Sequence, residues 1–175
     1  DRYADLVAGF GHGSTPSLLF FNRNGRFTFN EGVALPPSIY GIDTNLHMET
    51  RSADLDKDGD LDCYLLNHAV HNTRSYDRVN TRMLKDNEAG DYLYRNDGGK
   101  FKDISAESGI YQAAMGYGLG ISVADLNNDG WLDIYVSNDF HEDDYYYINQ
   151  KDGTYKEGIK EHFKHLSRFS MGSDV

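Results

Sequence analysis

Apolar and small residues alternate along Leu119-Gly120-Ile121-Ser122-Val123, the pattern of a half-buried strand. An acidic loop follows, and Leu132-Asp133-Ile134-Tyr135-Val136 leads away from it as a second strand. Tyr145 to Ile148 predicts a third. The polar run Asn149-Gln150-Lys151-Asp152-Gly153 turns the chain into a fourth, Thr154 to Glu157. The unit is a four-stranded antiparallel meander, and its parts recur. Ser52-Ala53-Asp54-Leu55-Asp56-Lys57-Asp58-Gly59-Asp60-Leu61-Asp62-Cys63-Tyr64 matches Val123 to Tyr135, with the two loops starting at Asp54 and Asp125. The hairpin Tyr92 to Phe101 matches Tyr145 to Tyr155, and an earlier copy runs from Leu18 to Phe27. Tandem four-stranded units are the pattern of β-propeller blades.

These matches divide the chain. Residues 1–46 form a partial first blade. Residues 47–116 form a second, with an inserted loop at 68–91, and 117–168 form a third. Residues 169–175 supply the first strand of a following blade. Asp1 to Ala8 aligns with Asp129 to Val136, and Met171 to Val175 with Leu119 to Val123, so we expect about three units of a longer propeller. Its remaining blades are expected partners. Helical character is confined to Asp103–Gly109 and Lys160–Leu166.

Composition narrows the partners. The 175 residues carry 28 acidic and 17 basic side chains, a net charge of −11 with neutral histidines. An acidic chain lacks the basic face that phosphate neutralisation needs, so nucleic acid is not an expected partner. No apolar run approaches the roughly 20 residues that span a bilayer. Aromatic residues make up 13% of the chain, too many for a disordered acidic tail. The lone Cys63 lies in a strand-like stretch and reads as a small buried hydrophobe.

The loops carry the chemistry. Asp54, Asp56, Asp58 and Asp62 stand at positions 1, 3, 5 and 9, with Gly59 at position 6. Glycine lets the backbone curl the oxygens inward. Such a donor set suits a hard cation, and Ca²⁺ takes six to eight oxygen ligands. Asp125, Asn127, Asp129 and Asp133 repeat it. Position 7, Asp60 or Trp131, is expected to lend its backbone carbonyl. An EF-hand would need a bidentate Glu at position 12 on a helix. Leu65 and Val136 occupy that place in β-rich runs, so the loop closes a β-hairpin instead.

The Asp-x-Asp/Asn-x-Asp-Gly-x-x-Asp loops, with the hairpin module that follows each, resemble FG-GAP/VCBS repeats. Tyr135 to Phe140 and Met115 to Gly118 resemble the cartilage-acidic-protein and ASPIC/UnbV-associated branch. The resemblance implies an all-β, integrin-α-like propeller, usually seven-bladed. It implies that Asp54, Asp56, Asp58, Asp62, Asp125, Asn127, Asp129 and Asp133 are calcium ligands. It also implies an extracellular or cell-surface setting, secreted or lipid-anchored, and a role in binding or scaffolding. The first unit departs from the pattern: Asp1 and Asp5 remain, and Arg2 stands where the repeat has Gly.

Other candidates reduce to packing or surface. His68/His71 and His162/His165 read as surface or loop histidines. Tyr145, Tyr146 and Tyr147 alternate between faces and read as inter-blade packing. Gly116 to Gly120 lacks the Lys-Ser/Thr ending of a phosphate loop and precedes a strand. We therefore expect a non-catalytic module whose rim binds a protein or glycan. That surface is expected to use Arg74, Arg78 and Arg82 of the inserted loop, with His141 and Glu142 of the solvated loop after the second strand. The alternative is a polysaccharide lyase or glycosidase on a propeller scaffold, for which Arg74, Tyr76, Arg78 and His71 would supply an anionic-sugar site.

Overall fold

The computed structural model describes residues 6–8, 18–23, 26–34, 46–69, 84–87, 89–140 and 142–175. Among them are three antiparallel sheets. The first holds β1 (Leu6–Ala8), β2 (Leu18–Arg23) and β3 (Arg26–Ala34), in that order. The second is four-stranded, with β4 (Leu46–Ala53), β5 (Asp62–His68), β6 (Tyr92–Asn96) and β7 (Phe101–Asp103). The third repeats it with β8 (Gly118–Ala124), β9 (Asp133–Asn138), β10 (Tyr145–Asn149) and β11 (Tyr155–Glu157). Each sheet is a meander, as the alternation predicts.

The repeat extends to its irregularities. The register slips between His47 and Glu49 on β4, and between Gly118 and Gly120 on β8. These are matching positions, so both edge strands are bent at the same point. The glycine at 118 has a packing reason: a Cβ there would collide with the Leu66 side chain.

Alternation on β5 buries both of its faces. Cys63 and Leu65 join Tyr92 and Tyr94 on one side. Tyr64 and Leu66 join Leu55, Leu93, Ile104 and Ile110 on the other. The third sheet closes that second face with Ile121, Ile134, Val136, Tyr145, Tyr147 and Tyr155. Fully burying such side chains contributes about 1.5–3 kcal/mol each. The main core is therefore the seam between two sheets. Tyr145 and Tyr147 face it, whereas Tyr146 points away toward His162 and Phe163. Cys63 is buried, and burial pushes its thiol up to about 12.

The edge strands β4 and β8 meet without a backbone ladder between them. Glu49 and Arg51 substitute for one. Ile121 N donates to Glu49 Oε2 at 2.8 Å, Arg51 Nε donates to Ile121 O at 3.1 Å, and the two side chains pair at 2.8 Å.

Two one-turn helices complete the described residues, α1 (Ser105–Ser108) and α2 (Ile159–His162). The first falls inside the expected stretch. The second starts one residue earlier than expected and stops well short of Leu166. Phe163 is already extended, and its ring packs against Tyr135 and Tyr146.

Candidate metal centre

The two acidic loops share one backbone course. Position 4 takes positive φ in both, 65° at Lys57 and 59° at Asn128, and so does position 6, 95° at Gly59 and 88° at Gly130. The same three bonds hold each loop. Gly59 N donates to Asp54 Oδ2 at 3.2 Å, as Gly130 N does to Asp125 Oδ2 at 2.8 Å. Asp58 N reaches Asp56 Oδ1 and Asp129 N reaches Asn127 Oδ1. Asp60 N reaches Asp58 Oδ1 and Trp131 N reaches Asp129 Oδ1. The loop thus uses its own amides to aim its side chains inward.

In the first loop, one carboxylate oxygen from each of Asp54, Asp56 and Asp58 lies within 4.8 Å of the others, a group that can hold a metal ion. Asp54 Oδ1 is buried and accepts no hydrogen bond. A buried, unpartnered carboxylate oxygen is costly unless a cation meets it. The donor set is all oxygen, which fits a hard cation. Burial, with the charges of Asp58 and Asp54, pushes the Asp56 carboxyl above its usual range, against the Asp58 amide.

The second loop is satisfied differently. Asp125 Oδ1 accepts Asp129 N at 2.9 Å, and Lys151 Nζ stands 3.2 Å from Asp129 Oδ2. The Trp131 amide and this ammonium hold the Asp129 carboxyl below its usual range.

The position 9 carboxylates lie outside the three-Asp group and brace the hairpin. Asp62 accepts Leu55 N at 3.0 Å and Asn96 N at 2.9 Å. Asp133 accepts Asn149 N at 3.0 Å and the Tyr146 hydroxyl at 2.9 Å. Each oxygen keeps a second lone pair for a cation. Burial raises the Asp62 carboxyl to about 6, against the Asn96 and Leu55 amides. At position 7, Asp60 turns its carboxylate to Gly98 N at 2.8 Å, and the Trp131 ring lies under Lys57 Nζ at 4.4 Å.

The expected rim surface changes at one residue. Glu142 is 3% exposed and accepts the Tyr145 hydroxyl at 2.9 Å. It braces the start of β10 and offers no surface to a partner. Arg74, Arg78, Arg82 and His141 lie outside the described residues, as do His71, Tyr76 and the first unit's Asp1, Arg2 and Asp5.

A second pair of buried carboxylates went unread in the sequence. Asp91 accepts the Tyr64 hydroxyl at 2.8 Å and Asn67 N at 2.9 Å. Asp144 accepts the Tyr135 hydroxyl at 2.7 Å and Asn138 N at 2.8 Å. Each ties the far end of the second strand to the start of the third. The readable trace was Tyr-x-x-Asn ending the second strand and Asp-Tyr opening the third, in both units.

No curated protein sequence matches the chain. A family of FG-GAP-like repeats matches it twice, over residues 79–136 and 125–173. These matches reach the repeat family and not a narrower branch of it. Together they span more than half of the chain, and they take in the second loop and the hairpin after it. With its recurring loops and two matching four-stranded sheets, the chain belongs to the FG-GAP-like repeat family.

Proposed function

We propose that this chain is a calcium-stabilised propeller module, extracellular or at a cell surface, that binds or scaffolds a protein or glycan without catalysis. The carrying observation is the first loop, where Asp54, Asp56 and Asp58 converge and Asp54 Oδ1 is buried without a partner. Asp54, Asp56, Asp58 and Asp62 would hold Ca²⁺ there, with the Asp60 carbonyl. Asp125, Asn127, Asp129 and Asp133 would hold a second ion, with the Trp131 carbonyl. The bound ion neutralises crowded carboxylates and fixes the hairpin. The protein's own amides orient the ligands through the bonds described above.

A structural rather than reactive role is supported by the buried acids. Asp62, Asp91, Asp133 and Asp144 each accept a backbone N–H. The repeat family, commonly found in extracellular proteins, supports the setting. Arg74, Arg78, Arg82 and His141 remain the proposed partner contacts. Thermal unfolding tests the central part. Calcium that binds the folded state alone raises the midpoint, by an amount that grows with its concentration. An unchanged midpoint between chelator and millimolar calcium would contradict it.

A further inference from the structure

One side chain touches both loops. Asn149 is 3% exposed at the end of β10. Its Nδ2 donates to Leu55 O at 3.0 Å and to Leu132 O at 3.2 Å. Leu55 is position 2 of the first loop and Leu132 is position 8 of the second. The backbone N of Asn149 donates to Asp133 Oδ1, at position 9 of the second loop. Its own Oδ1 accepts Lys151 N at 2.8 Å, and Lys151 carries the ammonium beside Asp129. Every contact of this amide to the loops therefore falls on or next to a proposed ligand.

Leu55 is held at both of its flanking peptide groups. Its N–H is held by Asp62 Oδ2 and its carbonyl by Asn149. A cation that ordered Asp54, Asp56 and Asp62 would fix the backbone on both sides of Leu55, and the fixed carbonyl would orient the Asn149 amide. The same amide then sets Leu132 O and Asp133 in the second loop. Lys57 over Trp131 adds a second contact between the same loops.

We propose that Asn149 is a positioning residue for both loops, so that a divalent cation in the first raises the cation affinity of the second. This rests on the calcium reading above. Two cations at neighbouring sites would repel, so charge alone predicts the opposite sign. Coupling through an ordered shared element lowers the cost of arranging the second site.

The test titrates the protein with Ca²⁺ at physiological salt by calorimetry, resolving the two sites in the unaltered chain and the second loop alone in Asp58→Ala, with the fluorescence of Trp131, the chain's single tryptophan, as a second reading. Asp58→Ala disables the first loop. The proposal expects the second loop's affinity to fall by about fivefold or more. It further expects Asn149→Ser to weaken the second loop in an otherwise intact chain, and Asp58→Ala to add little to it. If Asn149→Ser does not fold, the Asp58→Ala result alone still decides whether the loops are coupled. An unchanged or increased second-loop affinity in Asp58→Ala overturns the proposal. So does an undiminished Asp58→Ala effect in the Asn149→Ser background. Absence of calcium binding at both loops of the unaltered protein overturns the calcium reading itself, and this proposal with it.

Discussion

Lys57 carries its Nζ 4.4 Å above the Trp131 ring, so the fourth position of one acidic loop caps the seventh position of the other. The contact spans two sheets. Lys57 reaches it from a left-handed backbone conformation with φ of 65°, which the loop's side-chain hydrogen bonds maintain. A partly exposed cation–π contact contributes about 0.5–1 kcal/mol. Lys57→Met should lower stability by that amount and change the Trp131 emission, as read by urea denaturation. An unchanged emission spectrum would place the lysine elsewhere in solution.

The two loops should differ in affinity. The first offers three converging carboxylates and one unpartnered buried oxygen. The second substitutes neutral Asn127, and Lys151 already stands beside Asp129. Tighter calcium binding is expected at the first loop. Asn127→Asp should raise the second loop's affinity, because it adds a ligand charge. Calorimetry of the two variants Asp58→Ala and Asn127→Asp checks both directions.

Asp91 should make stability depend on pH. Burial raises its carboxyl from 3.8 to about 7, against the Asn67 amide and the Tyr64 hydroxyl. Unfolded, it ionises above about pH 4. Between pH 4 and 7 the folded chain therefore holds a proton that the unfolded chain has released. Its contribution is full below pH 4 and is lost as pH rises through 7, at most about 1.4 kcal/mol per unit. Asp91→Asn should abolish that part of the slope. Urea midpoints for both proteins at pH 4.5 and 7.5, in saturating calcium, give the comparison.

The seam between β4 and β8 should depend on Glu49. Removing its carboxylate leaves Ile121 N without its acceptor and breaks the ion pair with Arg51, which keeps its bond to Ile121 O. Glu49→Ala should cost about 1–3 kcal/mol, the penalty of an unsatisfied N–H. Glu49→Gln should cost less, because the amide oxygen still accepts. Equal losses in the two variants would show that the seam does not rely on this acceptor.

Much of this arrangement is legible in the chain. Alternation at Ile121, Ile134, Tyr145 and Tyr155 locates four strands, because a strand packed on a neighbouring sheet must bury every second side chain. The Asp and Gly spacing locates both loops, because few sequences supply such a turn. Long-range side-chain contacts are less legible. Asn149 looks like an ordinary turn residue, yet its amide reaches Leu55 in the other acidic loop. Glu142 stands in the polar run His141-Glu142-Asp143-Asp144 and looks solvated. It is buried instead, and accepts the Tyr145 hydroxyl. The end of α2 escaped for the same reason: Lys160 to Leu166 suits a helix, but Phe163 leaves it to cover Tyr135 and Tyr146.

The most direct measurement is calorimetric titration of chelator-treated protein with Ca²⁺. Two sites are expected, with dissociation constants between about 10⁻⁷ and 10⁻³ M, and Asp58→Ala should remove the tighter one. A folded protein that takes up no calcium at either loop, or a tighter site that survives Asp58→Ala, would contradict the account.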